Sequence, residues 1–319
     1  MHRFMAAANC ALFLCSVAAF AQEQTYAEKL GWPKGSKVVI FHSDDLGMSY
    51  SSNAGTIEAF EKGVLTSASA MMPCPWIPHW NHYLKNHPDI DNGLHLTLTS
   101  EWTDYRWAPR AGAARVPGLT DEEGCLPDNV GLVVENATAD EIEMEIRAQI
   151  SRAEKMGMTI THIDSHMGTL FADKDFFERY VKVGVEKQIP ILIAGGHLQF
   201  ASVEDAEAVA LLAGVAKEVW AAGLPVLDDV HTATYGWKDA ALKKTNMIRD
   251  LKAMQPGVME VILHCTRPSD VFEKIADSGP TRLADLELML DDDVRQVIEE
   301  EGIILTTWRE LKLRRDNVK

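Results

Sequence analysis

The chain has 319 residues, 46% of them hydrophobic and 24% charged, with a formal net charge of −16 at pH 7. Length and apolar content suffice for a large buried core, while the acidic balance excludes a surface built for nucleic acid or anionic membranes. Five cysteines without a CxxC spacing exclude a disulfide-framework protein.

The first residues read as a secretory signal. His2 and Arg3 precede an apolar stretch over residues 6–20, which ends in Ala19-Phe20-Ala21. That is a basic start, a short apolar middle and small residues at the cut. The stretch is too short to span a bilayer comfortably, and no later stretch is apolar enough to do so. Cleavage after Ala21 is expected, leaving residues 22–319 as one exported domain, periplasmic or secreted.

Residues 37–43 read as the first strand. Val38-Val39-Ile40-Phe41 puts four bulky β-formers in a row, as in a parallel strand buried on both faces. The run ends in His42-Ser43-Asp44-Asp45-Leu46-Gly47. Two adjacent carboxylates at the end of such a strand are hard to explain as packing. Side chains alternate along a strand, so one Asp could hold a metal while the other takes a proton. The alternative is an N-cap and turn before a helix over residues 53–62.

Further strands are expected at residues 67–72, 92–98, 160–164, 191–194, 224–227, 258–264 and 303–306. Helical patterns fall at residues 78–87, 176–187, 203–222, 240–254 and 286–301. Another helix opens at Thr138, where Glu141 completes a capping box and Ile142, Ile146 and Ile150 share a face. Residues 100–136 hold Trp102, Tyr105 and Trp107 among prolines and glycines, more like a binding loop than a spacer. Asp228-Asp229 and His231 follow a strand and could face a pocket, but a surface turn is the favoured reading.

Strands alternating with helices fit either an open doubly wound sheet or a closed barrel. Asp44, Asp45, His95, Asp164, His166 and His264 fall at the ends of the first, third, fourth and seventh strands. Only a barrel brings those ends to one pocket. The expected fold is therefore α/β, a single-domain distorted (β/α) TIM-like barrel with an inserted aromatic-rich loop.

Asp45, His95 and His166 make a two-His-one-carboxylate set that leaves coordination positions open. A lone strand histidine such as His95 is more often a satisfied core residue. His162-Ile163-Asp164-Ser165-His166 is denser, and Asp164 could orient a ligating His by accepting its second N–H. Asp44 could take a proton from an attacking water, and His264, after Glu260-Val261-Ile262-Leu263, could protonate a leaving group. Together these parts describe metal-assisted hydrolysis of an amide or ester. No Gly-x-Ser-x-Gly elbow, GxGxxG or Walker A motif is present, so a serine nucleophile or nucleotide cofactor has no support.

The same residues carry a family resemblance. His42-Ser43-Asp44-Asp45-Leu46-Gly47, with Asn53, Gly55, Glu58-Ala59 and Gly63-Val64-Leu65-Thr66-Ser67, resembles the opening of the YdjC-like carbohydrate deacetylases. Gly93-Leu94-His95, Thr161-His162-Ile163-Asp164-Ser165-His166, Glu260-Val261-Ile262-Leu263-His264 and Arg282-Leu283-Ala284-Asp285-Leu286-Glu287 are similar to its later motifs. His42-Ser43 stands where the family has Asn-Ala, and Met167-Gly168-Thr169 replaces a His-rich run. The resemblance implies a distorted barrel that removes N-acetyl groups from amino sugars with one divalent metal. Zinc or magnesium comes first for that ion, with manganese or cobalt open. By motif position Asp45, His95 and His166 are the ligands, Asp44 the base and His264 the acid. His162, Asp164, Trp102, Trp107 and Arg282 are expected to support them or touch substrate, the tryptophans either stacking on sugar rings or pinning their loop. A small carbohydrate is the expected partner, and homo-oligomerisation stays open. The rivals are a hydrolase of another ester or amide, and an exported sugar-binding protein without catalysis.

Overall fold

In the computed structural model, which describes residues 23–318 except 202 and 204, the apolar run ahead of the Asp pair is the spine of a parallel sheet. The expected signal segment lies outside the described residues. Strand β1 (Lys37–Leu46) is buried from Val38 onward. Val38 and Ile40 join one hydrophobic cluster while Val39 and Phe41 join another. This alternation is what a strand covered on both faces requires.

Around β1 lie β2 (Ser67–Ala70), β3 (Asn92–Leu96), β4 (Ile163–Ser165), β5 (Asp229–His231) and β6 (Gly257–Leu263). They pair in the order β4-β3-β2-β1-β6-β5, and β7 (Ile304–Leu305) pairs with the start of β1. Every pairing is parallel, so the strands end on the same side. Single parallel bridges, Ile163↔Ile191 and Ala194↔Leu227, continue from β4 toward β5. The sheet is thus curled into a distorted half-barrel inside a shell of helices, as expected.

Residues 191–194 and 224–227 make only these bridges, and the strand expected at 224–227 forms two residues later as β5. Pro190 and Pro225 explain part of the loss, because proline has no N–H to donate to a ladder. The helix at Ala139–Lys155 opens with the expected capping box. The helix expected over residues 286–301 is two, Gly279–Leu290 and Asp292–Glu300, divided by Asp291, whose carboxylate caps the second. Residues 117–136 contain a 3-10 turn at Pro117–Leu119 and a helix at Val130–Asn136. The C-terminal tail is a helix, Trp308–Asn317, capped by Thr307.

Asp228, Asp229 and His231 do not form a surface turn, for all three are buried. Asp228 accepts the backbone N–H groups of Tyr26 and Ala27, at 2.8 and 3.0 Å, and so fastens the N-terminal segment to the sheet. Asp229 accepts from Phe200 and Ala201. His231 Nε2 lies 3.0 Å from Asp250. Cys74, Cys125 and Cys265 are free thiols, and no described helix is long and apolar enough to cross a membrane.

Candidate active site

At the end of β1 the ladder to β2 slips between Ser43 and Leu46. Asp45 there has φ 66°, a left-handed conformation that costs a residue with a side chain about 1–2 kcal/mol. The slip changes the expected alternation. Asp44 and Asp45 both line one cavity of about 870 Å³ at the carboxyl ends of the strands. His95 reaches it from β3 and His166 from the residue after β4. Gly93 permits a close approach two residues before His95: a Cβ there would fall 2.4 Å from the His162 ring.

Asp45, His95 and His166 converge, with one potential ligand atom from each lying within 4.8 Å of the others. Asp45 Oδ1 is 3.4 Å from His95 Nε2 and 3.2 Å from His166 Nδ1. Each imidazole is held from behind. His95 Nδ1 is 2.6 Å from Asp164 Oδ1, and His166 Nε2 is 2.9 Å from Glu101 Oε1. If those outer nitrogens carry the protons, two nitrogen lone pairs and a carboxylate oxygen face one another. Asp45 Oδ1 is buried with no hydrogen-bond partner, so the residues fit a cation bound among them. Protonation answers the same demand: burial disfavours charge on His166, yet Glu101 and Asp45 push its pKa up to about 10. Burial works against ionised Asp45 as well, but Arg282 and His166 hold its pKa well below the usual carboxylate range.

Two overlapping clusters, His42 with His162 and Asp164, and Asp44 with His95 and Asp164, also bring ligand atoms together. His42 and His162 are wholly buried beneath the cavity. His42 is engaged by Ser67 Oγ at 3.0 Å and Ser69 Oγ at 3.1 Å, and His162 stacks on Trp308 with centroids 5.2 Å apart. Asp164 already faces His95. These clusters buttress the cavity-lining set.

Asp44 Oδ1 lies 3.1 Å from His42 Nε2 and accepts from Ser69 Oγ at 3.3 Å. Burial would raise the Asp44 pKa, but His95 and His42 bring it below its ordinary value, so the carboxylate is ionised and able to accept a proton. Its Oδ2 is 3.9 Å from His264 Nε2 across the cavity. Burial and the Arg282 cation push the His264 pKa down to about 4, so this imidazole is neutral and must gain a proton before it can give one. Asp285 accepts the backbone N–H of His264 at 2.9 Å and pairs with the buried Lys243. Arg282 Nη1 sits 2.7 Å from Asp45 Oδ2 and lines the cavity.

The two tryptophans of the long loop separate. Trp102 lines the cavity. Trp107 is buried, with Nε1 donating to Thr99 at 2.9 Å and its backbone N–H to Ser100 at 3.0 Å. It lies outside the cavity lining and pins the loop, the second of the two roles open to it. Glu101 and Tyr235 also line the cavity and were missed. Glu101 stood unremarked among the loop aromatics, and Tyr235 lies in a stretch with no motif around it.

A protein-family model described as YdjC-like protein matches residues 38–300. A carbohydrate deacetylase of Thermoanaerobacter pseudethanolicus is 26% identical over 276 residues, covering 86% of this chain and 100% of the relative. A chitooligosaccharide deacetylase of Proteus mirabilis is 26% identical over 279 residues, covering 86% and 98%. Among solved structures, a candidate cellobiose-phosphate cleavage protein of Enterococcus faecalis superposes with a TM-score of 0.74 at 24% identity, covering 86% of this chain and 99% of that one. That likeness bears on the fold alone.

Proposed function

This chain belongs to the YdjC-like protein family, and on that premise we propose that it is a metal-dependent carbohydrate deacetylase that hydrolyses N-acetyl groups on an amino sugar or short oligosaccharide. The substrate class comes from relatives named carbohydrate deacetylase and chitooligosaccharide deacetylase. The observation that carries the chemistry is the convergence of Asp45, His95 and His166 around a partnerless carboxylate oxygen, beside a second ionised Asp.

Asp45, His95 and His166 would hold a divalent ion, which would supply Lewis acidity toward the acetyl carbonyl and lower the pKa of water. Asp44 takes the proton of the attacking water, and His42 and Ser69 fix the orientation of its carboxylate. His264, neutral at rest and 3.9 Å from Asp44, receives that proton from Asp44 and delivers it to the amine nitrogen as the C–N bond breaks, leaving acetic acid and the free amine. Arg282 holds Asp45 ionised, and Asp164 and Glu101 fix the two imidazoles so that each keeps its other nitrogen toward Asp45.

The signal-like start supports action outside the cytoplasm. The test is acetate release from a panel of N-acetyl and O-acetyl sugars. The protein is taken from the exported fraction, where its first residue is expected to be Gln22, and assayed after chelation and after re-addition of zinc, magnesium, manganese or cobalt. Acetate from N-acetyl sugars that stops with chelation and returns with one ion supports the reading. Release confined to O-acetyl sugars moves the activity to esters, and sugar binding without release at any metal loading makes the chain a binding protein.

A further inference from the structure

A second cavity lies apart from the strand ends. It is a groove of about 490 Å³ between the loop around Arg110 and the helix at Ala139–Lys155, and it shares no lining residue with the larger cavity. Arg110, Arg115, Arg147, Arg152 and Lys155 line it, and no acidic side chain does. On a chain with a formal net charge of −16, this groove runs against the protein's own balance. Nearby cations are matched to carboxylates: Arg147 meets Glu143 and Glu186, Arg179 and Lys182 meet Glu143, and Lys187 meets Glu154. Among the described residues, Arg110, Arg115, Arg152 and Lys155 have no carboxylate paired with their side chains.

Arg152 turns instead to a neutral group, the carbonyl of Met72, and burial followed by the charge of Arg110 lowers its pKa. Like charges are thus held together uncompensated, an arrangement that a bound anion relieves. The loop is fixed for the purpose: the buried Glu145 accepts the backbone N–H groups of Arg110 and Ala111 at 2.9 and 2.7 Å. Arginine predominates, and its planar fork suits the oxygens of phosphate. Arg147 and Lys155 stand about 12 Å apart along one helix axis, too far for a single phosphate to meet both. Two phosphates carry about −3 to −4 at pH 7, which matches the four unpaired cations. The rest of the lining, Ala111, Met144, Ala148, Met156 and Ser151, leaves room between them for a carbon body. Glu143 and Glu154 on the same helix stand outside the lining and work against an extended polyanion.

We propose that this groove is a binding site for a small organic bisphosphate, two separated phosphate groups on a sugar-sized body. One phosphate sits beside Arg110 and Arg152 and the other lies toward Arg147. The site is separate from the cavity that holds Asp44 and Asp45, so its occupant is not the molecule cleaved there.

The test measures binding of fructose 1,6-bisphosphate, fructose 6-phosphate, inorganic phosphate and ADP to the zinc-loaded protein by calorimetry at low salt. A second charge-assisted contact is worth about a factor of ten or more, so the bisphosphate should bind at least about tenfold more tightly than fructose 6-phosphate. Its affinity should fall as salt is added. Arg110→Ser and Lys155→Ser, both at exposed positions, should each weaken bisphosphate binding about fivefold or more without changing the far-UV circular dichroism. No saturable heat with any of the four ligands would overturn the proposal. Equal affinities for the bisphosphate and the monophosphate would also overturn it, as would tighter binding of ADP, which places its phosphates next to each other. Phosphates can also bind at the ion among Asp45, His95 and His166. Bisphosphate affinity retained in full by the Arg110→Ser/Lys155→Ser double variant would assign the binding to that ion and overturn the groove.

Discussion

The two halves of the barrel solve different problems. From β6 through β1 to β4 the strands are joined by multi-residue ladders, and the polar groups at their ends are locked to one another. His95 is held by Asp164, His166 by Glu101, and Asp44 by His42 and Ser69. Between β4 and β5 the wall is made of single bridges, prolines and apolar side chains. The laddered half fixes orientations, which proton transfer and ion binding need to within fractions of an ångström. The loosely bridged half supplies shape and apolar area, which tolerate more play.

The contrast is broken most directly at Asp44. Asp44→Asn keeps the shape but removes the proton acceptor, and turnover should fall roughly 10²–10⁴-fold while elemental analysis finds the same metal content. A near-native rate would show that the laddered half is not where the proton goes.

A smaller effect tests the supports. Glu101→Gln and Asp164→Asn weaken the carboxylates that orient His166 and His95, so metal affinity should drop about 10–100-fold in each, read by competition with a chromophoric chelator. Unchanged affinity in both would mean that the imidazoles are positioned by packing alone.

The smallest effect is on stability and lies under the site. Burial pushes the Glu260 pKa from an ordinary 4.5 up to about 7, so the folded state keeps this proton after the unfolded chain has released it. The associated stability is fully present below about pH 4.5 and lost as the pH rises through about 7. Glu260→Gln can still accept from Trp308 Nε1, as Glu260 does at 2.6 Å. It should stabilise the protein at pH 8 by on the order of 2 kcal/mol and leave it unchanged at pH 4, measured by urea unfolding. A gain of equal size at both pH values would remove the titration from the account.

The laddered half was also the legible half. Val38-Val39-Ile40-Phe41 announced a doubly buried strand, and the dense His162–His166 motif marked a strand end with unusual chemistry. The pairing of Asp164 with a ligand-position His followed from a simple expectation about second N–H groups. The bridged half was not legible, because short apolar runs such as residues 224–227 look like strands until the missing donor of Pro225 is counted. Asp228 and Asp229 looked like a turn because their partners, the backbone N–H groups of Tyr26, Ala27, Phe200 and Ala201, are far away in sequence and carry no side-chain signature. Glu101 was hidden for a related reason: its role depends on the reach of a loop, and a loop has no periodicity to read.

The left-handed turn of the chain at Asp45 also bears on whether this chemistry could be moved elsewhere. In an evenly pleated strand, consecutive carboxylates would part company, one into the cavity and its neighbour into the wall. Copying the two Asp residues onto the end of another barrel strand would therefore transplant half a site. The unit to carry over is the irregular backbone together with the long parallel ladder to β6, which runs up to Ser43 just before it.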